Sequence, residues 1–567
     1  MSSKLLIIIT NLILLAGLAL NAVAQEPQPG PLLPENNQEL PPRTGYRPPR
    51  VNLSHLTGQY AVGKIAEGPV PERWDWREQG RVTPVKNQGS CGSCYAFASI
   101  ANVESRIYID DTVAYDLSEN NAKECNFYDR SCDGGNFYDM ACLYSQKGTV
   151  LESCDPYSAS DVSCNTGCEY VATLLDWNII CAGTAASTAT LKDIIYNYGP
   201  VYTTLYAGNG DAWGSDYNVY DGSYTLYYDG TEATNHAVLI VGWDDTLTHA
   251  GGTGGWIVKN SWGTGWGGTC GYGTEGGYFK IAYGSAGIGQ YSSFCSDWQE
   301  YDETGEILYY DEAGFSNYWG YGSTTGWGMC KFQPAADFDL ARVEFWTTDI
   351  TTDIDIYVYD SYNPGTRTLS DLLTQKLNVS YDYAGYHSVA LDSIFEITSG
   401  NDFYVAVKIT NSSFNYPIVA DQDGTNETGT TFLSSNGSNG SWTDMGVSYG
   451  DDIAIRVRTG TILVLDADDN QNPVPNHCGL GQNHPNPFNA ATTISYSLEN
   501  RSKVEISVFN ILGQNIRNLV DEVKAAGNYT VIWDGRDASG RGVATGIYFY
   551  QLIAGDYIET RKMILLK

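Results

Sequence analysis

Basic side chains are scarce in this chain: 32 Lys and Arg stand against 66 Asp and Glu, a formal charge of −34 over 567 residues. Binding to nucleic acid or anionic lipid depends on basic patches that release counterions. Nucleic acid is therefore excluded as a partner, and the acidic surplus reads as a solvated exterior. Long apolar runs are missing too, apart from Leu5 to Leu20, which falls short of the ~20 residues that span a bilayer. That run follows Lys4 and precedes Ala22-Val-Ala24, the pattern of a secretory signal cleaved after Ala24. Histidine is rare, with six in the chain, and none stands at metal-ligand spacing. A zinc site, the competing reading of the cysteines, is set aside; neither a metal nor a cofactor is expected.

Cysteine, by contrast, is plentiful: the thirteen fit an exported protein. Cys94 directly precedes an apolar, helix-compatible run (Ala96, Phe97, Ile100, Ala101), which places it at a helix N-terminus. Unpaired backbone N–H groups and the helix dipole favour a thiolate there, with a pKa expected in the range of about 3.5–7.5. Alone, Cys91-Gly-Ser-Cys94 reads equally well as a structural or redox pair. Two later segments change the balance. His236 opens an apolar strand, Asn235-His236-Ala-Val-Leu-Ile-Val-Gly-Trp243, and Asn260 closes another, Gly255-Trp-Ile-Val-Lys-Asn260-Ser-Trp262, before a Gly/Trp-rich turn. His236 lies 142 residues after Cys94, the spacing at which a nucleophilic cysteine pairs with a distant His and Asn.

With Pro71-Glu-Arg-Trp-Asp75-Trp76, Val82-Thr-Pro-Val-Lys-Asn87-Gln88, Leu117-Ser118-Glu119, Cys132-Asp-Gly134-Gly135 and Gly199-Pro200-Val201 in that order, residues 70 to 285 resemble the papain-like cysteine peptidases. The resemblance implies an α+β domain with a helical lobe and a β-barrel-like lobe, and peptide-bond hydrolysis through a Cys94 thioester. His236 would hold the thiolate and then protonate the departing amine; Asn260 would fix the imidazole. Gln88 would aim its side-chain amide at the oxyanion beside the Cys94 backbone N–H. Trp262 would shield the His–Asn bond from water. Gly134 and Gly135 would offer backbone to an extended substrate. Phe137, Thr234 and Ala237 would frame an apolar second subsite for a hydrophobic residue. Cys91 would pair with Cys132, and Cys125 with Cys164. The chain departs from the pattern at Tyr95, where Trp is usual, at Asp133, where Asn is usual, and at an insertion between Leu247 and Gly255, expected to lengthen a hairpin loop.

The chain reads as multidomain, the peptidase at 71–298 being followed by two all-β sandwiches. Residues 25–70 are proline-rich and lack helical periodicity, so they form either an extended strand along the cleft or a linker. Period-2 alternation takes over in 299–460, as in Ile354-Asp-Ile-Tyr-Val-Tyr and Phe403-Tyr-Val-Ala-Val-Lys-Ile. That region is similar to the lectin-like sandwiches appended to bacterial papain-like peptidases, its aromatics serving either a core or sugar stacking. Residues 461–478 read as a linker. Residues 479–567, with Pro485-Asn486-Pro487-Phe488-Asn489 and Gly546-Ile-Tyr548-Phe-Tyr, resemble the C-terminal sorting domain of the type IX secretion system. This implies the type IX secretion machinery and surface lipopolysaccharide or glycans as partners. The expectation is a monomeric cysteine endopeptidase acting on proteins or peptides, secreted or on the outer surface of a Gram-negative bacterium. The rival is an idle homologue that binds glycan or protein.

Overall fold

The computed structural model describes residues 26–34, 39–58, 70–111, 113–459 and, with short breaks, 479–565. The expected signal sequence and the 461–478 linker lie outside the described residues. The chain forms two compact units, Met1–Ile462 and Leu463–Lys567.

In the first unit a short strand β1 (Gln28–Pro29) and β2 (Arg73–Asp75) precede the helices. Helix α1 (Cys94–Asp111) begins at the cysteine, as its apolar run predicts, and buries most of its small and branched side chains. Helix α2 (Glu119–Glu124) is capped by the Ser118 hydroxyl, which accepts from the Asn121 N–H at 2.9 Å. Helix α3 (Phe137–Gln146) is capped by the Asn136 side-chain oxygen, which accepts from the Tyr138 N–H at 2.9 Å. Strands β3 (Thr149–Val150) and β4 (Tyr170–Ile179) follow, then helix α4 (Thr188–Tyr198), stopped by Gly199 at φ 125°, which favours glycine. Strand β5 (Val201–Leu205), helix α5 (Ala212–Asn218) and strands β6 (His236–His249), β7 (Gly252–Lys259), β8 (Tyr278–Ala282) and β9 (Gln290–Glu300) complete this part.

The insertion between Leu247 and Gly255 does not make the expected longer loop. Thr248 pairs with Thr253 and His249 with Gly252, so β6 and β7 run on as a ribbon closed by Ala250-Gly251. Glycine at 252, with φ 135°, permits the tight return that keeps the ladder going.

Strands β9, β5, β6, β7 and β8 lie side by side, and β4 extends this sheet from β9 into the β-rich region. Beyond β4 come Ala384–Ile397, Phe338–Thr347 and Ile455–Thr459, every pairing antiparallel. The crossing is tight: Tyr386 faces Trp177, and a Cβ on Gly385 would lie 1.9 Å from the Trp177 carbonyl oxygen. A second, six-stranded sheet includes Thr351–Asn363, Phe403–Asn411 and Thr325–Phe332. The two close on Phe338, Val343, Phe345, Ile356, Val405 and Val407, the inward positions of the period-2 pattern. Most aromatics here serve packing; Trp319, Trp346 and Trp442 are buried.

The N-terminal segment is fastened to this β-rich region at both ends. Strand β1 pairs with Asn317–Gly320, and the Gly30 N–H donates to the Tyr318 carbonyl at 2.7 Å. Farther on, Tyr318 Oη donates to the Asn52 carbonyl at 3.1 Å, and the His55 ring stacks on Phe414 at 3.7 Å.

The second unit stands by itself as a sandwich. A three-stranded sheet (Gly479–Leu480, Thr492–Leu498, Gly527–Trp533) is joined by a four-stranded one (Asn515–Lys524, Ser502–Asn510, Gly546–Ala554, Tyr557–Leu565). Ile494, Ile506, Trp533, Tyr550 and Leu552 fill its core.

The seam between the helices and the β-rich region carries a fully buried ion pair, Arg456 with Asp311 at 2.7 Å, and Arg456 Nη1 donates to Ser145 Oγ at 2.8 Å. Removing one partner of such a pair costs about 3–5 kcal/mol, because the other charge stays buried. Arg456→Met is expected to lower the urea stability of the first unit by that amount. Arg456→Met with Asp311→Leu is expected to recover most of it, and equal losses in the two variants would contradict the assignment.

Candidate active site

Cys94 sits at the first position of α1, His236 at the first of β6, and Asn260 just past the end of β7. His236 Nε2 bonds Asn260 Oδ1 at 2.8 Å. The neighbouring Ala237 N–H donates to Cys94 Sγ at 3.3 Å, so the fold brings the His-bearing strand end onto the sulfur. With Nε2 engaged, Nδ1 is the ring nitrogen left to serve Cys94; it is buried and has no hydrogen-bond partner. The Trp262 ring lies 5.1 Å from the imidazole, and Asn260 is 3 % exposed, so water is kept from the His–Asn bond.

Gln88 is fully buried. Its Nε2 donates to the Cys91 carbonyl at 2.7 Å, and its Oε1 accepts from Ser261 Oγ at 2.6 Å. Ser261, next to Asn260, thus fixes which way the amide points and leaves one N–H of the amide uncommitted by these bonds. Sequence reasoning passed over Ser261; its place between Asn260 and Trp262 was the available signal.

Residues 39–51 cross the site. The Gly45 and Tyr46 N–H groups donate to the Asn235 carbonyl at 3.1 and 3.0 Å. On the other wall the Gly135 N–H donates to the Gly45 carbonyl, and the Arg47 N–H donates to the Gly135 carbonyl, both at 3.0 Å. Of this proline-rich segment, Gly45 to Arg47 lie between the two walls, joined to Gly135 by a single bridge at Tyr46. Its approach is close at Gly45, where a Cβ would lie 1.8 Å from the Gly92 carbonyl oxygen. Trp262 Nε1 donates to the Arg43 carbonyl at 3.2 Å, and Gly134 packs against Leu40.

The covered site has the opposite electrostatics to those expected. Burial pushes the Cys94 thiol up to about 12, against the lowering effect of the Ala237, Gly45 and Tyr95 backbone amides. Burial likewise brings His236 down to about 4, with the Asn260 bond acting the other way. A helix N-terminus favours the thiolate only modestly, whereas excluding water penalises every charged form. Burial in this covered state thus opposes the lowered thiol pKa expected from Cys94's position and disfavours the charged imidazole as well.

The substrate-side expectations divide. Gly135 pairs with an extended chain, and Phe137 lines the pocket beside it, which Tyr46 fills. Thr234 instead accepts from Thr204 Oγ1 at 3.0 Å, and Ala237 lies under the Cys94 sulfur. Tyr138, Tyr202 and Tyr291 take their place in the lining, because α3 and β5 converge there. Cys91 is bonded to Cys132 and Cys125 to Cys164; a third bond, Cys154 to Cys168, was not foreseen. Cys142, Cys181, Cys270, Cys295 and Cys330 remain thiols. No group of acidic, Cys and His side chains among the described residues could hold a metal.

Residues 70–295 match the family model of papain family cysteine proteases. This part of the chain is similar to papain-family peptidase domains. Residues 307–459 match the lectin like domain and 488–555 the FlgD Ig-like domain. Among curated proteins, the senescence-specific cysteine protease SAG12 of Arabidopsis thaliana is 32% identical over 219 residues, 38% of this chain and 58% of that one. Digestive cysteine proteinase 1 of Homarus americanus is 34% identical over 220 residues, 38% of this chain and 62% of that one. The chain thus spans about three-fifths of these relatives. The crystal structure of the cysteine protease and lectin-like domains of Cwp84, a surface layer associated protein of Clostridium difficile, shares the fold: TM-score 0.62 at 18% identity, covering 77% of this chain and 99% of that one. These likenesses support a cysteine-type peptidase.

Two outcomes follow from the cover. Gly45→Ala puts a methyl group against the Gly92 carbonyl, so the segment must lift and water must reach Cys94. Each unit by which the thiol pKa then falls raises the thiolate fraction at pH 7 about tenfold. Iodoacetamide labelling of Cys94, with Cys94→Ala as blank, is expected to accelerate at least that much; an unchanged rate would show that the segment does not hold the thiol neutral. Acid acts in the same direction. The covered His236 binds its proton only near pH 4, an uncovered one near the ordinary 6.5. Protonation therefore favours uncovering as pH falls from about 6.5 to 4, by up to tenfold per unit. Protease susceptibility of residues 39–51 should rise over that window.

Proposed function

We propose that this chain is a secreted or surface-located cysteine endopeptidase, held inactive in the described state by its own N-terminal segment. The observation that carries the reading is the His236–Asn260 bond at a strand end whose next amide donates to the Cys94 sulfur.

Once residues 39–51 leave, water reaches the sulfur and the imidazole, and both pKa shifts caused by burial relax. His236 Nδ1 then takes the Cys94 proton. The sulfur attacks the peptide carbonyl carbon, and the C=O electron pair moves to oxygen. The Cys94 N–H and the uncommitted Gln88 amide N–H receive that oxyanion. Its collapse expels the amine, which leaves with the proton from Nδ1. Water, deprotonated by the same nitrogen, hydrolyses the thioester and restores the thiol. Asn260 keeps the ring aimed through both halves, and Ser261 keeps the Gln88 amide from flipping. Protein or peptide chains are the substrates, bound in extended form along Gly135.

The lectin like match supports surface glycans as partners of residues 307–459. For residues 479–567 the sorting reading is kept as a proposal: export by the type IX machinery, then release or attachment to lipopolysaccharide. A terminal β-sandwich and its Ig-like match are compatible with that role.

With residues 39–51 removed by limited proteolysis, an epoxysuccinyl probe is expected to label Cys94, and a long peptide to be cut internally. Gln88→Ala is expected to lower kcat by about 100- to 1000-fold while sparing the label. An uncovered Cys94 that stays inert to the probe would leave the idle-homologue reading standing.

A further inference from the structure

The pocket beside Gly135 is built differently from an apolar hole. Tyr46 enters it and is 2 % exposed, its ring 5.4 Å from that of Tyr291. Four hydroxyls in and around it, those of Tyr46, Tyr138, Tyr202 and Ser293, are buried without a hydrogen-bond partner. Tyr46, Tyr138, Tyr202, Tyr291, Cys181 and Ser293 all line this one pocket. A void of about 10 Å³ remains among them, next to Ser293. Buried hydroxyls are rarely left unpaired, because each forfeits its hydrogen bonds to water. A void of roughly this size is about what one water needs, provided several polar groups surround it.

We propose that this pocket selects tyrosine: the substrate residue whose backbone pairs with Gly135 places its phenol among Tyr138, Tyr202 and Ser293, sharing their hydrogen bonds through one enclosed water. Tyr46 shows the fit, as the chain's own occupant. The proposal deepens the peptidase reading and rests on it for the word substrate. An aliphatic side chain leaves the void enlarged and all three pocket hydroxyls unpaired. Phenylalanine fills the volume but withdraws one member of the hydrogen-bonded set. Selection against phenylalanine is therefore the diagnostic quantity, and an apolar pocket predicts none.

Two readouts separate this proposal from the peptidase reading. The first needs no turnover: in the full chain, iodoacetamide labelling of Cys94 reports how firmly the segment stays closed. Tyr46→Phe is expected to raise the labelling rate about tenfold, the worth of one hydrogen bond to a bound group. Tyr202→Phe and Ser293→Ala should each raise it several-fold, and Tyr46→Phe should add little in a Tyr202→Phe chain, because the pair share one network. The second readout is a peptide library cut by the full chain carrying Gly45→Ala, with tyrosine about tenfold over phenylalanine at the position beside Gly135. A Tyr46→Phe chain that stays closed as firmly as the parent, or more so, overturns the proposal. So does a library cut equally at tyrosine, phenylalanine and leucine. If labelling responds as stated but no peptide is cut, the pocket assignment stands and the peptidase reading falls.

Discussion

Everything at the site depends on the backbone of Gly45 to Arg47 lying between two fixed walls. The Asn235 carbonyl takes N–H groups from one side, and Gly135 exchanges both of its backbone groups on the other. The fit needs glycine at 45, since the chain there passes so close to the Gly92 carbonyl that no side chain can be inserted. Once seated, this strand replaces solvent around Cys94 and His236. Burial then raises the pKa of the same sulfur at the same helix start, desolvation being the largest cause. Geometry at the site is ready in advance; its charge state is set by whether water is admitted.

The β-rich region matters to this balance through backbone rather than side-chain chemistry. Strand β1 is an added edge strand on Asn317–Gly320, and His55 is stacked on Phe414 beyond the other end of the covering stretch. The covering strand is thus a bridge anchored at both ends, and cutting it once leaves each half still held. The region that holds it shares a sheet with the cleft, through Ala384–Ile397 beside β4, and is pinned by the buried Arg456–Asp311 pair. The β-rich region and the part of the chain that carries the cleft thus share one continuous sheet within the first unit.

Much of this was legible in the residues. The start of α1 at Cys94, His236 and Asn260 at strand ends, and the alternation of the β-rich region follow from local patterns, and local patterns survive folding. What escaped notice arises from distant contacts. The charge state of Cys94 depends on Gly45, and no feature of the helix that starts at Cys94 encodes that. Proline-rich composition announced an extended chain without saying where it would lie. The insertion after Leu247 looked like loop because it is rich in Gly and Thr, yet paired Thr and His positions continue the ladder. The phenols of Tyr138, Tyr202 and Tyr291 come from a helix and two strands, so no window of sequence contains them together.

How the segment blocks the site without being consumed follows from its direction. Tyr46 bridges Gly135 in the parallel sense: the wall's N–H goes to Gly45 and its carbonyl receives Arg47, residues on either side of the bridge. An antiparallel strand would exchange both bonds with a single residue. Cys94 Sγ accepts from the Ala237 N–H at 3.3 Å, while the Gly45 N–H is spent on the Asn235 carbonyl. The segment therefore uses the Gly135 backbone groups that an extended substrate needs, but pairs them in the opposite sense. Burial and a reversed strand reinforce each other. Burial works against the thiolate, and the strand that causes it runs in the sense opposite to an antiparallel ladder.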